Sequence, residues 1–210
     1  MYSKLKKLAD ISAAIVLLLV LWPFCLIIAA AIRMDSKGPV FFKQKRMGRG
    51  GRPFTIFKFR TMRVEAVRDG RKLADVERMT KLGNFLRKTS LDEIPQLVNI
   101  VRGEMSFIGP RPLPLEYAGS YSAEQMRRHE VTPGLSGWAQ VNGRNQIGWA
   151  EKFDYDLYYV DHLSFLLDLK ILWLTLCTVA AAQDVNHSAM LTMPALTEEI
   201  QLANKGDHHA

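Results

Sequence analysis

The sequence predicts an α/β fold of irregular, helix-rich architecture carried on a membrane helix. Three observations predict it. Residues 11–32 form a run of 22 positions without a charged side chain. Residues 40–45 and 54–62 are rich in β-branched and aromatic side chains and are separated by Gly48, Gly50 and Gly51, the pattern of a hairpin. Ile94, Leu97, Val98 and Val101 recur at helical spacing, with Gly103 just past the end. A chain of 210 residues is long enough for one domain with a real core and short for two.

As a straight helix the uncharged run reaches about 33 Å, close to the hydrocarbon thickness of a bilayer. A secretory signal competes with this reading, because Lys4, Lys6 and Lys7 precede the run and Ala29, Ala30 and Ala31 offer a cleavage site. The apolar stretch of a signal peptide is only ~7 to 15 residues, however. Pro23 falls near the middle, where it removes one helical hydrogen bond and predicts a kink or break. Basic residues flank both ends, Lys4, Lys6 and Lys7 before and Arg33, Lys37, Lys43, Lys45 and Arg46 after, so the positive-inside rule draws both to the cytoplasm. A helix that enters, bends at Pro23 and returns satisfies both flanks; a spanning helix with a tolerated proline is the alternative.

The glycines of the hairpin lack the P-loop pattern and read as a plain turn. Lys58, Arg60 and Arg63 follow, either as a solvated face or as phosphate ligands. Asp92 and Glu93 lie at the start of the next predicted helix. Ser90 with Glu93 matches a capping box, or Asp92 is itself the cap with Pro95 at the third helical position. The chemical reading is that the helix start keeps Asp92 ionised and attracts phosphate, with Arg87 and Lys88 as countercharge. An ionised carboxylate can attack phosphorus if a divalent cation screens the two anions. Glu93 points about 100° away on an α-helix, so the two carboxylates differ in their work.

Residues 105–108 predict a short strand, after which Arg111 stands between Pro110 and Pro112. The prolines stiffen the backbone around a guanidinium suited to bidentate phosphate contact, or else this is a proline-rich connector. Residues 153–182 are apolar but interrupted by Asp154, Asp156, Asp161, Asp168 and Lys170, and the uncharged 12 residues 171–182 are too short to span. With Tyr155, Tyr158, Tyr159 and Trp173 this segment is an interfacial amphipathic helix or a buried core helix. Beyond residue 182 the chain turns polar and loses periodicity, and His208 with His209 is too little for a metal site.

A balance of 28 Lys plus Arg against 21 Asp plus Glu, net +7, points to an anionic partner. A nucleic-acid binder would need an aromatic stripe interleaved with basic residues, and none is evident. Cys25 and Cys177 sit in apolar segments without metal-ligand spacing, which argues against a disulfide framework or a zinc site.

Four motifs in order carry a family resemblance: Lys58-Phe59-Arg60-Thr61-Met62, then Ser90-Leu91-Asp92-Glu93-Ile94-Pro95-Gln96-Leu97, then Gly109-Pro110-Arg111-Pro112, then Pro133 through Gly137, Trp138, Gln140 and Asn142 to Arg144. The chain closely resembles the bacterial sugar transferases, and among them the small monotopic phosphoglycosyl transferases, from its anchor to about Ala182. The resemblance implies a re-entrant anchor over 1–36, a catalytic domain over 37–182 on the cytoplasmic face of the bacterial inner membrane, and a polar tail over 183–210. It implies that Asp92 attacks the β-phosphate of a UDP-sugar, releases UMP and forms a covalent phosphosugar enzyme, from which undecaprenyl phosphate takes the sugar phosphate. This would be the first membrane step of glycoconjugate assembly, ahead of downstream glycosyltransferases. Asp92 and Glu93 would work with Mg2+, Arg87 and Arg111 would contact phosphate, and Lys58 falls in a motif whose role is one of phosphate binding. Trp138, Gln140, Asn142 and Arg144 would line a nucleotide-sugar pocket, unless that stretch is only a glycine-rich structural loop. One departure is Trp22 before Pro23, where the family often has Ser-Pro. A membrane-tethered nucleic-acid-binding protein or scaffold is the alternative, and a scaffold has no need of Asp92, Glu93 and Arg111 together.

Overall fold

The computed structural model describes residues 2–65, 67–68, 70–143 and 147–181. The chain divides into two compact units, the first built from residues 3–44 and 55–105 and the second from 45–54 and 106 onward. As the α/β reading expects, the chain is helix-rich, and its described strands make three two-stranded sheets.

Helix α1 (Tyr2–Asp35) contains Pro23 without ending there. Of its side chains only Ala14, Ile28 and Ile32 are buried, while Leu19, Val20, Trp22 and Ile27 are each more than half exposed. An apolar helix bare on most sides suits a hydrocarbon solvent better than water. Among the described residues it is the one helix long and apolar enough to cross a membrane.

Strands β1 (Phe41–Met47) and β2 (Pro53–Phe59) pair across the glycine turn, close to the predicted bounds. Ladder β3 (Val67–Arg68) and β4 (Arg71–Lys72) is antiparallel, and α2 (Asp75–Arg78) follows it. Helix α3 (Lys81–Lys88) starts at Thr80, whose hydroxyl accepts the Gly83 N–H, and ends in Arg87 and Lys88, favourable charges at a helix C-terminus. Gly83 has no room for a side chain, since a Cβ there would stand 1.8 Å from the Thr61 carbonyl oxygen. Next come a 3-10 helix, Leu91–Gln96, and α4 (Leu97–Val101). The core of this unit joins Ile28 and Ile32 of α1 to Phe59 and Leu86, with Leu91 and Ile94 packed against them.

Two expectations are corrected here. Asp92 and Glu93 lie in a 3-10 turn rather than at an α-helix start, and Ser90, though it precedes the turn, makes no side-chain cap. The hydroxyl is out of place because Ser90 is itself left-handed, at φ 56°, where a capping residue is extended. Pro95 is consequently the fifth residue of that turn and not the third of a helix.

In the second unit β5 (Ser106–Ile108) is followed by α5 (Ala123–Met126) and pairs in parallel with β6 (Gly134–Ser136). Helices α6 (Trp138–Asn142), α7 (Trp149–Asp161) and α8 (Phe165–Ala181) complete it. Ile108, Tyr159 and Ile171 form one core, and Trp149 and Phe153 another. On α8, Asp168 and Ile171 are buried, whereas Phe165, Leu166, Leu169, Leu172, Trp173 and Leu176 stand exposed. The helix therefore packs one face inward and leaves an apolar stripe outward.

Asn99, fully buried, stitches the first unit together. Its Oδ1 accepts the Phe57 N–H at 3.2 Å, and its Nδ2 donates to the Thr55 carbonyl and to Glu104, each at 2.7 Å. Asn99→Leu leaves the Phe57 N–H and the Thr55 carbonyl buried without that partner. The expected cost is about 2 to 4 kcal/mol of stability, read as a lowered unfolding midpoint in detergent. An unchanged midpoint would show that β2 does not depend on this side chain.

Candidate active site

Successive strand residues face opposite ways, so the burial of Phe59 in the core sends Lys58 to the other side of β2. There its Nζ lies 2.5 Å from Glu93 Oε1 and 3.9 Å from Asp92 Oδ2. All three side chains are largely buried, at 18%, 16% and 10% exposure, so the ammonium is needed to offset two adjacent carboxylates taken out of water. Both acids thus converge on one cation, although neighbours on a helical turn point in different directions.

Ser90 brings them there. It is the one described non-glycine residue with positive φ, and it turns the chain from α3 directly into the 3-10 turn. Backbone in that region costs about 1 to 2 kcal/mol for a residue with a Cβ, and such strain collects beside reactive groups. Arg87, an exposed residue in the last turn of α3, donates its Nε to the Thr61 hydroxyl at 3.0 Å.

Two carboxylates offered to one cation are a donor set that magnesium accepts, completed by waters and phosphate oxygens. Among the described residues no cluster of three or more His, Cys, Asp or Glu could hold an ion, so substrate oxygens would have to contribute.

The second unit holds Arg111 on a segment fixed from both sides. Arg128 donates to the Arg111 carbonyl at 2.8 Å, and Arg46 donates to the Pro112 carbonyl at 3.2 Å. Arg128 is in turn locked to Asp156 at 2.6 and 3.0 Å, with both residues almost fully buried. Burial pushes the Asp156 carboxyl up and the Arg128 guanidinium opposes it. Burial first, and then the Arg111 charge, push Arg46 down to about 10.

Of the other expected residues, Trp138 stacks on Tyr158 with centroids 5.8 Å apart and has the Lys170 ammonium 5.0 Å from its ring. The amide atoms of Gln140 are buried without a hydrogen-bond partner. Asn142 is exposed and donates to the Trp138 carbonyl at 2.8 Å. Arg144 and the tail 183–210 lie outside the described residues. Sequence reasoning missed the Arg128–Asp156 pair, although Asp156 shares the buried stripe of Trp149, Phe153 and Tyr159 on α7, a legible sign of an acid with an internal partner.

Comparison with known proteins gives consistent matches. The family described as "Bacterial sugar transferase" matches residues 1–182. The chain is 48% identical over 193 residues to an uncharacterized sugar transferase, EpsL, of Bacillus subtilis, covering 92% of this chain and 96% of that one. It is 43% identical over 183 residues to the UDP-glucose:undecaprenyl-phosphate glucose-1-phosphate transferase of Xanthomonas campestris, covering 81% of this chain and 37% of that protein. It is 37% identical over 190 residues to a UDP-N-acetylgalactosamine-undecaprenyl-phosphate N-acetylgalactosaminephosphotransferase of Aeromonas hydrophila, covering 85% and 44%. The chain therefore spans about two fifths of the length of the latter two relatives.

His129 supplies a pH test of the second unit. Burial, reinforced by the Arg128 charge and opposed by a hydrogen bond to the Gly48 backbone, pushes its imidazole down from 6.5 to about 4. As pH falls the unfolded chain takes up this proton first, so stability present above pH 6.5 is lost progressively between 6.5 and about 4. The expected loss between pH 7.5 and pH 5 is roughly 2 kcal/mol. His129→Asn should flatten the pH dependence of the unfolding midpoint in that window; equal slopes for the two proteins would remove His129 as its source.

Proposed function

This chain belongs to the bacterial sugar transferase family, and on that premise we propose that it moves a sugar 1-phosphate from a UDP-sugar to undecaprenyl phosphate. The observation that carries the reading is the Asp92–Glu93 pair converging on Lys58 in a largely buried place. A family relative without enzymatic chemistry would have no use for two costly carboxylates there.

In the proposed first step an Asp92 oxygen attacks the β-phosphorus. The bond from that phosphorus to the bridging oxygen breaks, UMP leaves with the electron pair, and an aspartyl phosphosugar remains. In the second step an oxygen of undecaprenyl phosphate attacks the same phosphorus and Asp92 departs as a carboxylate. Lys58 orients Glu93 and offsets charge beside Asp92, which suits a reaction governed by positioning and electrostatics. Arg87 and Arg111 are read as phosphate-contacting arginines from their motifs, and Trp138, Gln140, Asn142 and Arg144 as nucleotide-sugar residues on the same ground. Asp92 and Glu93 are the residues that would hold Mg2+, which when bound supplies neutralising charge for phosphoryl oxygens.

The membrane reading is a bacterial inner-membrane protein with its reactive groups on the cytoplasmic face, handing product to downstream glycosyltransferases. Membrane lipids are the proposed partner of α1 and of the exposed stripe of α8, whose Trp173 suits the interface. A re-entrant α1 is supported by contacts near its two ends. A Cβ on Gly103 would lie 3.0 Å from Lys7 Cε, while Ile28 and Ile32 belong to the core cluster against which Ile94 packs. A straight helix would separate Lys7 from Ile32 by about 37 Å, whereas residues 94–103 span roughly 15 Å. A bend at Pro23 reconciles these lengths.

Incubation of the purified protein with a panel of UDP-sugars tests the function and identifies the sugar, the expected result being UMP release with one or a few of them. Asp92→Asn should abolish both turnover and the covalent phosphosugar adduct seen by intact-protein mass spectrometry, while the protein stays folded. An adduct on that variant would mean another nucleophile. For topology, Ser3→Cys and Ser36→Cys in a Cys25→Ala, Cys177→Ala background should both resist an impermeant thiol reagent on intact spheroplasts. Labelling at position 3 alone would mean a spanning helix.

A further inference from the structure

Strand β2 leads into a second buried cation whose partners are all backbone. Arg60 is only 7% exposed, and its Nη1 donates to the Lys37 carbonyl at 2.5 Å while its Nη2 donates to those of Ser36 at 2.7 Å and Ile32 at 3.3 Å. These carbonyls belong to the end of α1 and the turn that leaves it. A helix end carries a partial negative charge, and here a guanidinium from just beyond a distant strand answers it, sharing the Ile32 carbonyl with the Ser36 N–H and taking the two carbonyls that follow the helix. The turn is shaped around that group: Gly38 has φ +127°, and a Cβ on it would stand 2.2 Å from Arg60 Nη1. The Arg60 N–H also donates to the Val40 carbonyl at 2.8 Å.

Two residues earlier in the same segment, Lys58 meets Glu93 and Asp92; one residue later, Thr61 receives Arg87. Lys58 and Arg60 are about 7 Å apart along extended chain. No loop separates the end of α1 from the reactive pair, so displacement of one displaces the other.

We infer that Arg60 is a positioning residue that fixes the height of the Asp92–Glu93 pair relative to the membrane held by α1, and so governs transfer to an acceptor whose phosphate is confined at the membrane surface. The inference rests on the proposed function. The long chain of undecaprenyl phosphate is buried in hydrocarbon, so its phosphate cannot follow a misplaced active site. A short prenyl phosphate in detergent can. Reacting atoms must approach to about 3 to 3.5 Å, and an error of about 1 Å can cost 10²-fold.

The test compares two formats with the full-length enzyme and the UDP-sugar found by nucleotide release. One is vesicles of phosphatidylethanolamine and phosphatidylglycerol containing undecaprenyl phosphate; the other is detergent solution with a two-isoprene prenyl phosphate. Arg60→Lys keeps the charge but loses the planar fork that spans three carbonyls. Its kcat/KM should fall about tenfold or more in vesicles and stay within about threefold in detergent, with KM for the UDP-sugar unchanged in both. Gly38→Ala presses on the same contact from the opposite side and should give the same split, which answers the case in which Arg60→Lys does not accumulate. Equal losses in the two formats, or none in either, would overturn the inference alone. No product from the parent enzyme in either format would overturn the functional reading and the inference with it.

Discussion

Two neighbouring carboxylates held largely out of water repel each other and lack hydration, and the first unit is organised around meeting that demand. Lys58 meets it by standing 2.5 Å from Glu93 while remaining within ion-pair distance of Asp92. The ammonium can be there only if β2 is fixed against the segment that carries the acids. Asn99 does that from α4 by holding the β2 backbone at Thr55 and Phe57, and Phe59 does it from the other face by entering the core with Ile28, Ile32 and Leu86. The left-handed Ser90 is the local cost of the arrangement.

The second unit applies the same logic to a different group. A segment that is to hold one position needs a backbone that does not yield, and prolines stiffen a chain without placing it. Placement of the Arg111 segment comes from Arg128 and Arg46, which hold consecutive carbonyls, and Arg128 is kept rigid by Asp156 in the interior. A buried ion pair contributes little net stability against an apolar replacement, but losing one partner is expensive, which makes the pair a good device for fixing geometry.

Apolar surface is distributed in a way that water alone would not favour. Helix α1 buries three side chains and leaves most of its large apolar ones exposed, and α8 buries Asp168 and Ile171 while exposing leucines and Trp173. Large exposed apolar areas are rare on proteins surrounded by water and common where lipid is the neighbour. Such surfaces suit membrane association in a family some of whose members are named for undecaprenyl phosphate.

The sequence by itself determined the features that depend on neighbours along the chain. Charge-free length marked α1, β-branched and aromatic enrichment with glycines marked β1 and β2, apolar spacing marked the helix that ends before Gly103, and the ordered motifs around Lys58, Asp92 and Arg111 marked the family. Local steric preference and side-chain period suffice for these. It misjudged the start of the acidic turn, where a serine that matched a capping pattern adopts a left-handed backbone instead. Tertiary structure alone decided which charges meet: Lys58 with Glu93 across 35 positions, Arg60 with Ile32 across 28, and Arg128 with Asp156 across 28. Every lysine and arginine in the sequence carries the same charge, and which of them loses water and finds a carboxylate or carbonyl depends on how apolar segments far apart in the chain close on one another.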